Sequence, residues 1–155
     1  MNLFQLFRQA SFTVAALTIL GLGLPALAAH PVPFKGRADV TITGVVDRPP
    51  IRLLTASATG EATHLGRFTR SESLTINLLT GTFTGTLTFT AANGDLLKAD
   101  VAGHFTSPTG ASAEGTYTFT GGTGRVSAAT GTARFEVTTT DGVHAAASFE
   151  GLITY

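Results

Sequence analysis

The chain has 155 residues, with ten basic and ten acidic side chains, four histidines and no cysteine. The lack of cysteine excludes disulfides, thiolate metal sites and cysteine nucleophiles. Balanced charge without a Lys/Arg cluster excludes the electrostatic footprint of a nucleic-acid or anionic-membrane binder.

The first element is a leader. Arg8 is the only charge in residues 1–29, Ser11 to Leu24 is an almost unbroken apolar run, Pro25 interrupts it, and Ala26-Leu27-Ala28 supplies a small-x-small pattern. This predicts a Sec-type signal peptide over 1–28, cut after Ala28 with Ala29 as the near alternative. The run is shorter than the roughly 20 residues of a spanning helix, and no later segment is apolar enough to span a membrane. The expectation is a secreted or periplasmic product without stable membrane insertion, and a single domain over 29–155.

That domain is rich in Thr, Gly, Phe, Val and Ile and shows no helical period; strand-like runs recur between turn signals. Phe34 to Val46 alternates, with Phe34, Ala38, Val40 and Ile42 on one face, and Pro49-Pro50 ends it. Ile51 to Thr59 is a second run, closed by Gly60, and Leu65 to Asn77 a third. Leu79-Thr80-Gly81 turns into Thr82 to Thr90, Asn93-Gly94-Asp95 makes a hairpin, and Leu96 to Thr106 follows. After Ser107-Pro108-Thr109-Gly110 come Ala111 to Thr120, then Thr132 to Thr140, the turn Asp141-Gly142, and Val143 to Tyr155. Eight consecutive strands with short connections predict an all-β fold, an eight-stranded antiparallel up-and-down β-barrel, because closure removes the exposed edges. A two-sheet sandwich is the competing architecture. An eight-stranded barrel is just filled by side chains or holds one small ligand.

Between the sixth and seventh strands lies Gly121-Gly122-Thr123-Gly124-Arg125-Val126-Ser127-Ala128-Ala129-Thr130-Gly131. Its first glycines permit a sharp exit from the strand. Arg125 to Ala129 can make one helical turn, which Gly131 can end in the left-handed conformation. The corner resembles that of the dirigent and allene oxide cyclase barrel superfamily at Gly121, Gly122, Thr123, Gly124, Val126, Ala129 and Gly131. Val126 stands where that family usually has Phe, and Thr130 where dirigent proteins often have Arg. Ala62 to Thr69 and Ala92 to Asp95 look like small secreted bacterial proteins of this type, mostly without an assigned function. The resemblance implies an eight-stranded barrel and a homotrimer; it carries over no activity.

In most strands the charges oppose the apolar face. Lys98, Asp100 and His104 oppose Leu97, Val101 and Phe105; Arg134 and Glu136 oppose Phe135 and Val137; His144 and Glu150 oppose Phe149 and Ile153; and Glu114 opposes Tyr117 and Phe119. The third strand is the exception, since Arg70 and Glu72 share their parity with Phe68, Leu74 and Ile76. Two readings stand. Either the pair faces the cavity, Glu72 as base or ligand anchor and Arg70 as anion contact, or a bulge near Gly66 or a rim position takes it out of the interior. Tyr117 and Tyr155 can offer hydroxyls to a pocket or simply pack their rings. Histidine is the residue type that commonly serves as a general base, but His64 has no neighbouring nucleophile or orienting carboxylate.

His64, His104 and His144 are evenly spaced, yet no His-x-His or His-x3-His pair exists, so no metal or other cofactor is expected. No Gly-x-Ser-x-Gly elbow is present, and Gly-Gly-Thr-Gly lacks the Lys-Ser/Thr of a phosphate loop. The candidate ligand-binding residues are therefore Arg70, Glu72, Tyr117 and His64. The leading expectation is an exported barrel that binds a small apolar or aromatic molecule without transforming it. An isomerase or cyclase using Glu72, and a structural surface protein with a solid barrel, are the alternatives.

Overall fold

A computed structural model describes residues 30–155; the expected signal peptide and its cut after Ala28 lie outside the described residues. Eight strands follow in chain order: β1 (Val32–Arg48), β2 (Ile51–Ala62), β3 (Gly66–Asn77), β4 (Thr82–Ala91), β5 (Leu96–Phe105), β6 (Ser112–Gly122), β7 (Thr130–Thr139) and β8 (His144–Thr154). Each pairs antiparallel with its neighbours, and β1 pairs with β8 from Val32↔Ile153 to Thr41↔His144. The barrel is closed, which decides against the sandwich. The fold is thus the expected eight-stranded antiparallel up-and-down barrel.

Up-and-down topology gives the barrel two unlike ends. The β1–β2, β3–β4, β5–β6 and β7–β8 turns gather at one, while the remaining turns, Val32 and Tyr155 gather at the other. At the second end the β6–β7 corner folds over the lumen. Its short helix is a single 3-10 turn, Gly124–Val126, shorter than the Arg125–Ala129 turn expected, and Val126, Ala129 and Leu65 are buried beneath it. Thr123 exchanges backbone and side-chain hydrogen bonds with Leu96 at 2.8 Å each, and the Arg125 N–H donates to the Asp95 carboxylate at 3.3 Å. These bonds tie the corner to the β4–β5 turn. Gly131 does not end the helix. It lies inside β7 opposite Ile153 with φ 122°, where a side chain would run into the Leu152 carbonyl.

Alternation along each strand sets the interior. Phe34, Phe68, Phe89, Phe119 and Phe149 fill the half nearest the corner; the Phe34 ring lies 5.0 Å from Phe119 and 5.4 Å from Phe149, and Phe68 lies 5.0 Å from Phe89. Each buried ring contributes on the order of 1.5–3 kcal/mol, plus edge and stacking contacts. Toward the other end the small inward residues Val40, Ala56, Val101, Ala113 and Ala145 lie among Phe83, Phe105 and Phe135, and a cavity of about 120 Å³ remains. The charges expected outside are outside: Lys98, Asp100, His104, Glu114, Arg134, Glu136 and Glu150 are all exposed.

Candidate functional site

Strand β3 pairs with β2 from Ala62↔Gly66 to Ile51↔Asn77, and with β4 from Phe68↔Ala91 to Asn77↔Thr82, with no register shift in either ladder. The bulge considered near Gly66 does not form. The irregularities lie elsewhere, between Ile42 and Gly44 in β1 and between Lys98 and Ala99 in β5. With the register unbroken, period-2 alternation sends Arg70 and Glu72 into the lumen beside Phe68 and Leu74. Their side chains keep only 1% and 10% of their exposure, and the ions meet at 3.1 Å from Arg70 Nη2 to Glu72 Oε2.

Tyr117 reaches them from β6, across the lumen. Arg70 Nη1 donates to the Tyr117 hydroxyl at 3.0 Å. The guanidinium also stands 5.9 Å from the ring centres of Phe89 and Tyr117, within reach of their negative faces. Tyr117 stacks in turn on Phe135, with ring centres 4.4 Å apart. The three polar groups therefore sit where the filled half of the lumen gives way to the hollow half. They form the floor of the cavity, whose walls include Val40, Ala56, Val101 and Phe135.

The electrostatics are those of a charge pair in a dry place. Burial pushes the Tyr117 hydroxyl up from 10.0 to about 12; the Arg70 charge pulls the other way and the Glu72 charge adds to the rise. Arg70 Nε is the one fully buried side-chain polar atom without a hydrogen-bond partner among the described residues. Such an orphan costs about 1–3 kcal/mol, and an arrangement that keeps it calls for an explanation beyond packing.

His64 is not part of this group. It lies in the β2–β3 turn at the closed end, outside the barrel, with φ 68°. Its Nε2 contacts the Pro33 carbonyl at 3.1 Å and its Nδ1 the Tyr155 hydroxyl at 2.9 Å. Tyr155 is therefore a partner of His64 and not of the cavity. His104 meets Glu114 at 3.5 Å and His144 meets Asp141 at 2.8 Å, both on the surface, so the three evenly spaced histidines occupy three separate places. A larger depression of about 870 Å³ crosses the outer face, edged by Arg37, Asp39, Glu61 and Arg67. It is an open groove among solvated charges, with one ion pair between Arg67 and Glu61, and gathers no buried polar group. The smaller lumen cavity is the better candidate.

Of the four residues singled out from the sequence, the fold brings together Arg70, Glu72 and Tyr117. What sequence reasoning missed is the pairing of Arg70 with Tyr117, 47 residues apart, and the wall of the cavity. The signal for the wall was present in part in the inward positions, where Val40, Ala56, Val101, Ala113 and Ala145 leave space between Phe83, Phe105 and Phe135.

No family model matches the chain, and no curated protein is similar to it in sequence. Among solved structures it is similar to the pterocarpan synthase dirigent protein GePTS1, with a TM-score of 0.61 over 96% of this chain and 97% of that one, at 14% identity. The likeness shows a dirigent-like fold.

Proposed function

We propose that this protein is an exported barrel that holds one small apolar or aromatic molecule in the open half of its lumen without transforming it. The observation that carries the reading is the hollow half itself, an apolar cavity floored by the buried Arg70 and Tyr117 and the largely buried Glu72. Binding sites are commonly apolar clefts with a few convergent polar groups that orient the occupant. Export rests on the leader over 1–28. A homotrimer is proposed from the family resemblance. Val45, Val46 and Leu53 on the β1–β2 hairpin are exposed and are the surface another copy would cover.

Native mass spectrometry of the protein purified from its own source tests the reading. Extra mass on each subunit supports it and identifies the ligand, and the same spectrum gives the oligomeric state. A subunit without extra mass that also takes up no aromatic probe, judged by NMR shifts at Tyr117 and Phe135, counts against it.

The lumen-facing Glu72 favours a second reading, an isomerase or cyclase. Under it Glu72→Gln abolishes turnover and leaves ligand binding largely intact. That carboxylate already has one oxygen engaged by Arg70, so binding alone remains the preferred reading.

A further inference from the structure

We infer that Glu72 sets the charge of the ligand. The cavity takes a neutral, single-ring molecule bearing a hydrogen-bonding head group and rejects the corresponding carboxylate, an inference that rests on the lumen being a ligand cavity.

Arg70 alone at the floor of an apolar cavity would be an anion site, because a guanidinium pairs readily with a carboxylate. It is not alone. Glu72 Oε2 stands 3.1 Å from Nη2 and the Tyr117 hydroxyl 3.0 Å from Nη1, so each terminal nitrogen has a partner, Nε alone has none, and the ion pair is neutral as a unit. Glu72 stays on the lumen side whichever rotamer it adopts, because its backbone is held in both ladders. It is two residues along the same strand, faces the same lumen, and is paired in register with Ala56 on one side and Leu87 on the other. An entering carboxylate would sit beside a buried like charge, an arrangement that excludes wrong partners more strongly than attraction selects right ones.

A neutral head group meets complementary atoms instead. Tyr117 accepts from Arg70 through its oxygen and keeps its own proton to donate. Glu72 keeps its second oxygen to accept. A primary amide or an alcohol can use both. Size follows from volume: the cavity measures about 120 Å³, and an apolar cavity of about 150 Å³ takes up one benzene. The lumen is close to the size of a single ring, and a fused pair would have to extend past the brim.

Benzamide and benzoate have nearly the same shape and differ in charge, so they test the inference directly. Titration calorimetry or ligand-detected NMR on the purified protein should show benzamide binding, with benzoate at least about tenfold weaker and 2-naphthamide also weaker than benzamide. In Glu72→Gln the order of benzamide and benzoate should reverse, because Arg70 is freed to act as an anion contact.

Benzoate binding as well as benzamide to the unaltered protein would overturn the inference and leave the ligand cavity standing. So would a folded Glu72→Gln protein that gains nothing for benzoate. If neither compound binds, the cavity reading fails and the inference with it. The comparison on the unaltered protein needs no variant, so it decides charge selectivity even if Glu72→Gln does not fold.

Discussion

The ring of Phe149 fills the space that a side chain on Gly36 would need. The two residues face each other across the β8–β1 ladder, and a Cβ on Gly36 would stand 2.6 Å from Phe149 Cε2. The same relation recurs inside the barrel for Phe68 over Gly60, Phe83 over Gly103 and Phe135 over Gly115, where ring Cζ atoms would lie 2.6–2.8 Å from the added carbon. A lumen too narrow for eight full side chains per layer is filled by pairing one large residue with none. Gly36→Ala should therefore destabilise the protein by about 1–3 kcal/mol through overpacking. In a Phe149→Leu background the cost should be smaller, since residues in contact couple. Urea unfolding of the four proteins measures both; additive costs would show that the ring and the glycine do not compete for space.

Arg70 and Glu72 are a second tightly coupled pair. Removing one partner leaves a buried charge without compensation, so Arg70→Met should cost about 3–5 kcal/mol. Removing both charges in Arg70→Met/Glu72→Leu should recover most of that loss, because well-packed apolar residues often replace a buried ion pair at little cost. Denaturant midpoints of the single and double variants check this. A double variant no more stable than the single would mean that the pair itself holds the barrel together.

Tyr117 gives a pH dependence with a definite sign. Burial raises its ionisation from 10.0 to about 12 in the folded barrel. The neutral hydroxyl is thus favoured by folding, and the unfolded chain loses that proton first. The stabilisation is fully present below pH 10, declines as the pH rises above it, and is gone beyond about 12. Absorbance at the phenolate band should show a tyrosine that ionises near 12 in the folded protein, and Tyr117→Phe should remove that transition. A variant that keeps it would assign the displaced ionisation to Tyr155.

At the open end, Asp141 organises the β7–β8 turn. Its Oδ1 accepts from the backbone N–H groups of His144 at 2.7 Å and Val143 at 2.8 Å, and its Oδ2 contacts His144 Nδ1 at 2.8 Å. The His144 backbone bond, then its ring, then the Val143 bond hold this carboxyl well below the usual carboxylate range. The stabilisation is therefore present above the ordinary carboxylate pKa and is lost only as the pH falls far below it. Hydrogen exchange should find the Val143 and His144 amides protected in the wild type and rapidly exchanging in Asp141→Ala, with β2–β3 amides unchanged. Equal exchange in both proteins would remove Asp141 from any role in the turn.

The strand order, the barrel and the outward charges were legible because alternation with period 2 and turn residues such as Asn93-Gly94 are local signals. The inward placement of Arg70 and Glu72 was legible too, provided β3 carried no bulge. A bulge is decided by the fit of two ladders and leaves no mark in one strand's sequence; hence the shifts at Ile42/Gly44 and Lys98/Ala99 went unread. Tyr117 could be placed on the apolar face but not opposite Arg70, since that meeting depends on how far each strand is staggered around the barrel. His64 is named beside them on its residue type, without a partner in the sequence, and its remoteness from the cavity follows from which end its turn occupies.

Among the described residues, the aromatic packing of Phe34, Phe68, Phe89, Phe119 and Phe149 closes one end of the lumen and leaves the other open. The barrel is a cup and not a conduit: whatever is seated on Arg70, Glu72 and Tyr117 departs by the route it entered, past the Gly110–Ser112 segment at the brim. Under the binding proposal, one occupant would have to leave before the next arrives. A reaction that joined two molecules here could have only one of them seated inside, with its partner waiting at the brim.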